Sequence, residues 1–150
     1  MTLGIRISRS GPNPFQRFQW TRAAMSWADA TGPVVRSALK AAAPVAPVDG
    51  GRLRDSIRYA RRTRLGRVTL EFSASAPYTR FVLDGTPPHI IRARTSRYLH
   101  WADTAGQNRF AKQVNHPGTK PNPFPRRALT PLMPAIQSAF QESVLDSMRR

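Results

Sequence analysis

Fourteen prolines set the limits of regular structure in this 150-residue chain. A proline lacks an N–H and has a fixed φ, so it interrupts a helix or an inner strand. "SGPNP" at 10–14 breaks what precedes it, and Pro44 and Pro47 end a helical segment and force an extended connection. "HPGTKPNPFP" at 116–125 is too rich in proline to be regular. Nine glycines add further breaks, and apolar residues make up only 40%. The length suits a single domain, 1–150, with one modest core and an extended arm over about 115–125. Part of the apolar surface is expected to be buried only against partners.

Between the breaks, periodicity is readable. Residues 2–9 alternate, with Leu3, Ile5 and Ile7 on one face and Arg6 and Ser8 on the other, as a strand requires. Residues 66–75 are the cleanest strand: Val68, Leu70 and Phe72 alternate with Thr69, Glu71 and Ser73, the pattern of a half-buried sheet. Residues 15–30 predict a helix that is apolar on more than one side. After Thr31-Gly32-Pro33, a second helix begins, or the first continues past a kink, with Pro33 suited to a first turn. Residues 50–59 predict a short helix and 76–86 another, closed by Asp84-Gly85. "HIIRAR" and "YLHWAD" read as two strands around the turn Thr95-Ser96-Arg97, and 108–116 as a third. Leu129, Leu132, Met133, Ile136, Phe140, Val144 and Met148 form one stripe of the strongest helix, 126–148. The expected class is α+β: a small, mostly antiparallel sheet packed by an N-terminal helix and a long C-terminal helix, with extended proline-rich loops.

The charge is one-sided. Twenty-four basic residues against eight acidic ones give a formal +16, and only Lys40, Lys112 and Lys120 among the basic residues are lysine. Arginine is favoured where planar, bidentate contacts matter, and GC-rich coding favours it too. Such a field attracts DNA, RNA or acidic protein surfaces. The densest run, "RYARRTRLGR" at 58–67, is expected to be a solvated edge or loop. Its arginines, Arg58, Arg61, Arg62, Arg64 and Arg67, are candidates for contact with DNA or an acidic partner. Tyr59 is the one aromatic residue there, and no helix-turn-helix, RRM or zinc-finger pattern accompanies it.

Signals of catalysis are missing. His89, His100 and His116 lack metal-ligand spacing. There is no G-x-S-x-G and no Walker loop. Only a convergence of Asp84, His89 and Asp103 would favour a hydrolase. The expectation is a protein that is not an enzyme, with no catalytic residues, no metal and no cofactor. The lack of cysteine fits intracellular folding. No apolar run approaches the roughly 20 residues of a membrane span, and the N-terminus lacks a signal-peptide core.

"APVDGGRLRDSI", 46–57, admits two readings. A phosphate cradle would need a preceding strand and a following Lys-Ser/Thr, and neither is present. The segment reads better as a structural latch. Pro47 stiffens the approach, Asp49 caps a short helix, Gly51 allows a tight entry, and Leu53 with Ile57 pins the helix to the sheet.

That block, then "YTRFVLDGT", then "HPGTKPNPFPRRAL", occur in order over residues 44–148. In this the chain resembles the small tail-component or neck family of long-tailed bacteriophages. Its members carry "AP-V-D-T-G-x-L-R-x-S-I", "Y-x-x-x-V/L-x-x-G-T" and "P-F-x-x-P/R-A-L" before a C-terminal helix, and longer members add "V-x-H-P-G-T". Gly50 replaces the usual Thr, Asp84 stands where Glu is frequent, and Arg127 where Pro is common. These departures leave open whether the chain is a stopper, a terminator or a tail-completion protein. The resemblance implies a structural virion protein, assembled in the bacterial host cytoplasm, forming a ring of six copies that joins the tail to the DNA-filled capsid. Its partners would be further copies of itself, neighbouring neck, adaptor or stopper, tail-terminator or tail-tube proteins, and DNA passing through the channel; no membrane is implied. The loop 86–97 and the arm 115–125 are the candidate subunit and ring-to-ring contacts, through Arg92, Arg94, Arg97, His116, Pro117, Lys120, Phe124, Arg126 and Arg127. The alternative is a nucleic-acid-binding protein that uses its Arg-rich face.

Overall fold

The chain folds as two units. The computed structural model describes residues 2–10, 17–45, 50–103 and 105–149. The first unit comprises Met1–Thr79 with Pro123–Arg150, and the second Arg80–Asn122. In chain order the elements are β1 (Thr2–Ser10), α1 (Arg17–Ala42), α2 (Arg52–Ser56), β2 (Ile57–Arg64), β3 (Arg67–Ala74) and α3 (Thr79–Asp84). They continue with β4 (His89–Arg92), β5 (Leu99–Ala102), β6 (Asn108–Ala111), β7 (Gln113–His116), α4 (Phe124–Leu129), a 3₁₀ turn (Thr130–Leu132) and α5 (Met133–Arg149).

In the first unit, β1, β3 and β2 lie in that order as an antiparallel sheet. The alternating strand read at 66–75 is the central one. Val68, Leu70 and Phe72 on its inner face are completely buried. On β2, Ile57, Tyr59, Arg61 and Thr63 stand opposite Ala74, Phe72, Leu70 and Val68 and share that inner face. The intervening Arg58, Ala60, Arg62 and Arg64 take the outer face, because side chains alternate along a strand.

Helix α1 packs on the inner face of the sheet and α5 packs on α1. This explains why the helix is apolar on more than one side. Trp27, fully buried, donates its indole N–H to the carbonyl of Ile136 at 3.0 Å. Phe140 of α5 meets Trp27 and Trp20 edge-on, with centroids 5.6 and 5.0 Å apart. Each aromatic pair adds about 0.5–1.5 kcal/mol beyond its buried area. A second line on α1 serves the sheet: Asp29 pairs with Arg61, Gly32 underlies Tyr59, and the Arg36 guanidinium lies 6.0 Å from the Tyr59 ring.

The sequence admitted a break at Gly32-Pro33, but the structure has one helix from Arg17 to Ala42. In a helix interior glycine costs about 1 kcal/mol and proline about 3. Packing overrides both, and for Gly32 it demands the residue: a Cβ there would fall on Cδ2, Cε2 and Cζ of Tyr59. The short helix expected over 50–59 ends at Ser56, and Ile57 already belongs to β2. The basic run is accordingly an edge strand and a hairpin turn, Leu65-Gly66, both with positive φ as this tight turn requires. The C-terminal helix starts at Phe124 and is divided. Pro131 has no N–H for the helical ladder, so Thr130–Leu132 tighten to 3₁₀ and α5 starts afresh with Pro134 in its first turn.

The second unit is a two-stranded ribbon. The structure does not pair "HIIRAR" with "YLHWAD"; β4 pairs with β7 and β5 with β6, all antiparallel. The strand expected over 108–116 is two strands separated at Lys112. Ala93 N–H reaches Lys112 O at 3.2 Å and continues the first ladder. Residues 94–98 then bulge out, since only the step from Lys112 to Ala111 faces them on the other strand. None of the described residues 80–122 is buried.

Candidate functional site

The ribbon is closed at one end by two short motifs. Thr86 and Thr119 exchange backbone hydrogen bonds at 3.0 Å in both directions, and their hydroxyls lie 3.1 Å apart. Each threonine follows a glycine with positive φ, Gly85 at 73° and Gly118 at 85°. A Cβ on Gly85 would strike Thr119 O, and one on Gly118 would strike Thr86 O. "DGT" and "HPGT" are therefore two halves of one clasp. The repeated Gly-Thr was visible in the sequence; its pairing across 33 residues was not. At the other end Asp103 builds the turn. One carboxylate oxygen accepts from Ala105 and Gln107 N–H, both at 2.9 Å, and the other from Arg109 Nε at 2.9 Å. The Gln107 amide first, then the Arg109 side chain and the Ala105 amide, hold this carboxyl below its ordinary pKa against the opposing effect of desolvation.

Between its ends the ribbon presents large side chains to solvent. Phe110 is 65% exposed and Ile90 52%, and Tyr98, Trp101 and Ile91 are exposed as well. Cross-strand partners stack: His100 on Phe110 with centroids 4.7 Å apart, and His89 beside His116 at 5.0 Å. Arg92 ends β4, while Arg94 and Arg97 stand in the bulge. Arg97 places its guanidinium 5.8 Å from the Tyr98 ring. His116 accepts the Gly118 N–H at Nδ1, 3.0 Å away, so it belongs to the clasp region together with Pro117; Lys120 is exposed beyond it.

The first unit carries a second surface, the outer face of its sheet. Strand order brings Arg6, Glu71 and Ala60 into one row, and Ser8, Thr69 and Arg62 into the next. Arg67 and Arg64 face each other directly in the third. Glu71 is clamped from both sides, by Arg6 at 3.2 Å and Arg62 at 2.8 Å. The basic run thus divides. Arg58 donates to the Asp55 carbonyl at 2.6 Å and serves the end of α2. Arg61 faces inward to Asp29 at 2.5 and 2.6 Å. Arg62, Arg64 and Arg67 remain on the open face, where Arg6, which the sequence reading did not select, joins them.

Of the expected latch, Leu53 and Ile57 are buried at 1% and 0% exposure, and Gly51 is the N-cap of α2, with φ 92°. Pro47 and Asp49 lie outside the described residues. Among the expected subunit contacts, Arg126 and Arg127 are exposed on α4. Phe124 requires correction: it is completely buried at the start of that helix, and as a core residue its side chain is closed to another subunit. Asp84, His89 and Asp103 do not form one centre. Asp84 pairs with Arg80, His89 bonds the Pro87 carbonyl, and Asp103 holds the far turn.

The parts of this chain that fold around "GGRLRDSI" and end at the first half of the clasp coincide with a known family. Residues 15–85 match the model of the family described as "Bacteriophage HK97-gp10, putative tail-component". Over those residues the chain is similar to phage tail components. The match takes in α1, α2, β2, β3 and α3, leaves out β1, and stops at Gly85, before the strands of the ribbon. No curated protein and no solved structure matches the chain. No described helix is long and apolar enough to cross a membrane, and no described His, Asp or Glu residues group as a metal site.

Proposed function

We propose that the chain is a non-enzymatic ring component at the head–tail junction of a long-tailed phage, six copies joining the tail to the DNA-filled capsid. The observation that carries this reading is the ribbon. A two-stranded ribbon is marginal in water unless its side chains pack on something. Here Trp101, Tyr98, Phe110, Ile90 and Ile91 have no core of their own to enter. Such surface suits contact with the next copy and with neighbouring adaptor, stopper, terminator or tail-tube proteins. Copies that meet head to tail through two different patches close into a ring. Arg92, Arg94, Arg97 and Lys120 of the second unit, and Arg126 and Arg127 of the first, supply charged contacts.

The test is genetic and structural. A phage carrying Trp101→Ser with Phe110→Ser is expected to yield separate filled heads and finished tails, while the purified variant keeps the far-UV circular dichroism of the wild type. Electron cryomicroscopy of the wild-type neck is expected to show a six-membered ring with the ribbon between chains. Joined, infectious particles from the double variant would overturn the reading.

A further inference from the structure

We infer that the outer face of the β1-β3-β2 sheet is a binding site for the phosphodiester backbone of duplex DNA, independent of base sequence. The inference stands apart from the ring reading, since it concerns the sheet and not the ribbon.

Glu71 shows what this face accepts. Its carboxylate lies between two guanidiniums donated by strands on either side, Arg6 at 3.2 Å and Arg62 at 2.8 Å. An oxyanion bridged by arginines across strands is thus already built into one row. Two rows on, about 13 Å along the strand, Arg64 and Arg67 stand directly opposite each other. Neither makes an ion pair among the described residues. Like charges placed directly across a ladder repel, and a bound anion removes that repulsion. The same side chains, with Ser8 and Thr69, line a hollow of about 360 Å³.

The composition of the face selects the ligand. Protein interfaces centre on apolar and aromatic side chains and exclude charge from the middle. Here Ala60 is the only apolar side chain among outward positions 58, 60, 62 and 64 of β2 and 67, 69, 71 and 73 of β3. Arginines with serine and threonine hydroxyls are the usual contacts to phosphate oxygens. No aromatic residue occupies those positions, so nothing there stacks an unpaired base, which favours duplex over single strand. A handful of phosphate contacts binds weakly at physiological salt and lets DNA slide.

The test is fluorescence anisotropy of the full chain with a mixed-sequence duplex, the matching single strand and poly-glutamate, over a salt series. Arg64→Gln with Arg67→Gln is expected to weaken duplex binding about tenfold and to reduce the salt slope by about 2. Arg92→Gln with Arg94→Gln, the same charge change on the ribbon, should cost about twofold or less. Glu71→Gln, which frees Arg6 and Arg62, should tighten duplex binding severalfold, an effect opposite to that of structural damage. Equal losses from the two arginine pairs would overturn the site in favour of net charge alone. Tighter binding to poly-glutamate than to duplex, with the same dependence on Arg64 and Arg67, would overturn it in favour of an acidic protein partner. Weakened duplex binding by the Glu71 variant would also count against it.

Discussion

The two units solve the burial problem in opposite ways. The first encloses Trp27, Phe72, Phe124, Leu39, Leu53, Ile57, Leu70, Val35 and Val68 almost completely. The second has no buried residue among those described and holds its shape by backbone pairing, a clasp and a tight turn. A sheet with helices on one face buries apolar area, worth about 25 cal/mol per Å². A lone ribbon cannot. The difference teaches that burial is confined to one part of this chain: residues of the first unit hold the fold, and large side chains of the second stay exposed.

That separation is breakable by mutation. The largest effect is expected from Trp27→Ala, which removes both the bond to Ile136 and the contact with Phe140. It should lower unfolding free energy by about 3–5 kcal/mol in chemical denaturation; a loss below about 1 kcal/mol would mean that α5 does not depend on this residue. Next comes Gly32→Ala. Helix propensity alone predicts a gain of about 1 kcal/mol, whereas the clash with Tyr59 predicts a loss of about 1–3 kcal/mol. The sign of the change in melting temperature decides between them.

Gly118→Ala acts on the other unit. The left-handed backbone costs a non-glycine residue about 1–2 kcal/mol before the strike on Thr86 O is counted. Amide exchange at Thr86 and Thr119 should quicken while β3 amides keep their protection; equal loss in both would deny the independence of the units. Acid should work similarly at the ribbon's far end. The Asp103 carboxyl has a lowered pKa in the fold, so its contribution is complete above the ordinary value of about 3.9 and is lost as pH falls through the folded one. Chemical shifts of the Ala105 and Gln107 amides should move over that acidic window, and Asp103→Asn should abolish the movement. Smallest is Phe110→Ser, expected to change stability by no more than about 0.5 kcal/mol because the ring is already 65% exposed. A larger loss would reveal a packing role within the chain.

Much of the fold was legible. The alternation of Val68, Leu70 and Phe72 located the central strand, and the stripe through Ile136 and Phe140 located α5. The α+β class followed from their order. Other features were hidden for identifiable reasons. Gly32-Pro33 reads as a helix break because local propensity is all that a sequence displays there, while the Tyr59 ring that requires the glycine comes 27 residues later. The ribbon was misread because strand partners are not encoded locally: His89 meets His116 rather than any residue of the nearer β5. The basic run was found at once, but its arginines could be sorted only when strand register was fixed.

By itself, then, the sequence determined the periods, the breaks, the excess of arginine and the likeness to tail components. Tertiary structure decided which elements are neighbours. Alternation puts Arg61 and Arg62 on opposite faces, but only α1 supplies Asp29 to one and only β3 supplies Glu71 to the other. The two Gly-Thr steps are ordinary turn chemistry apart; as a pair they form a clasp. The physical reason is the same in each case: side-chain direction is local, whereas the partner that gives it a role arrives from a distant part of the chain.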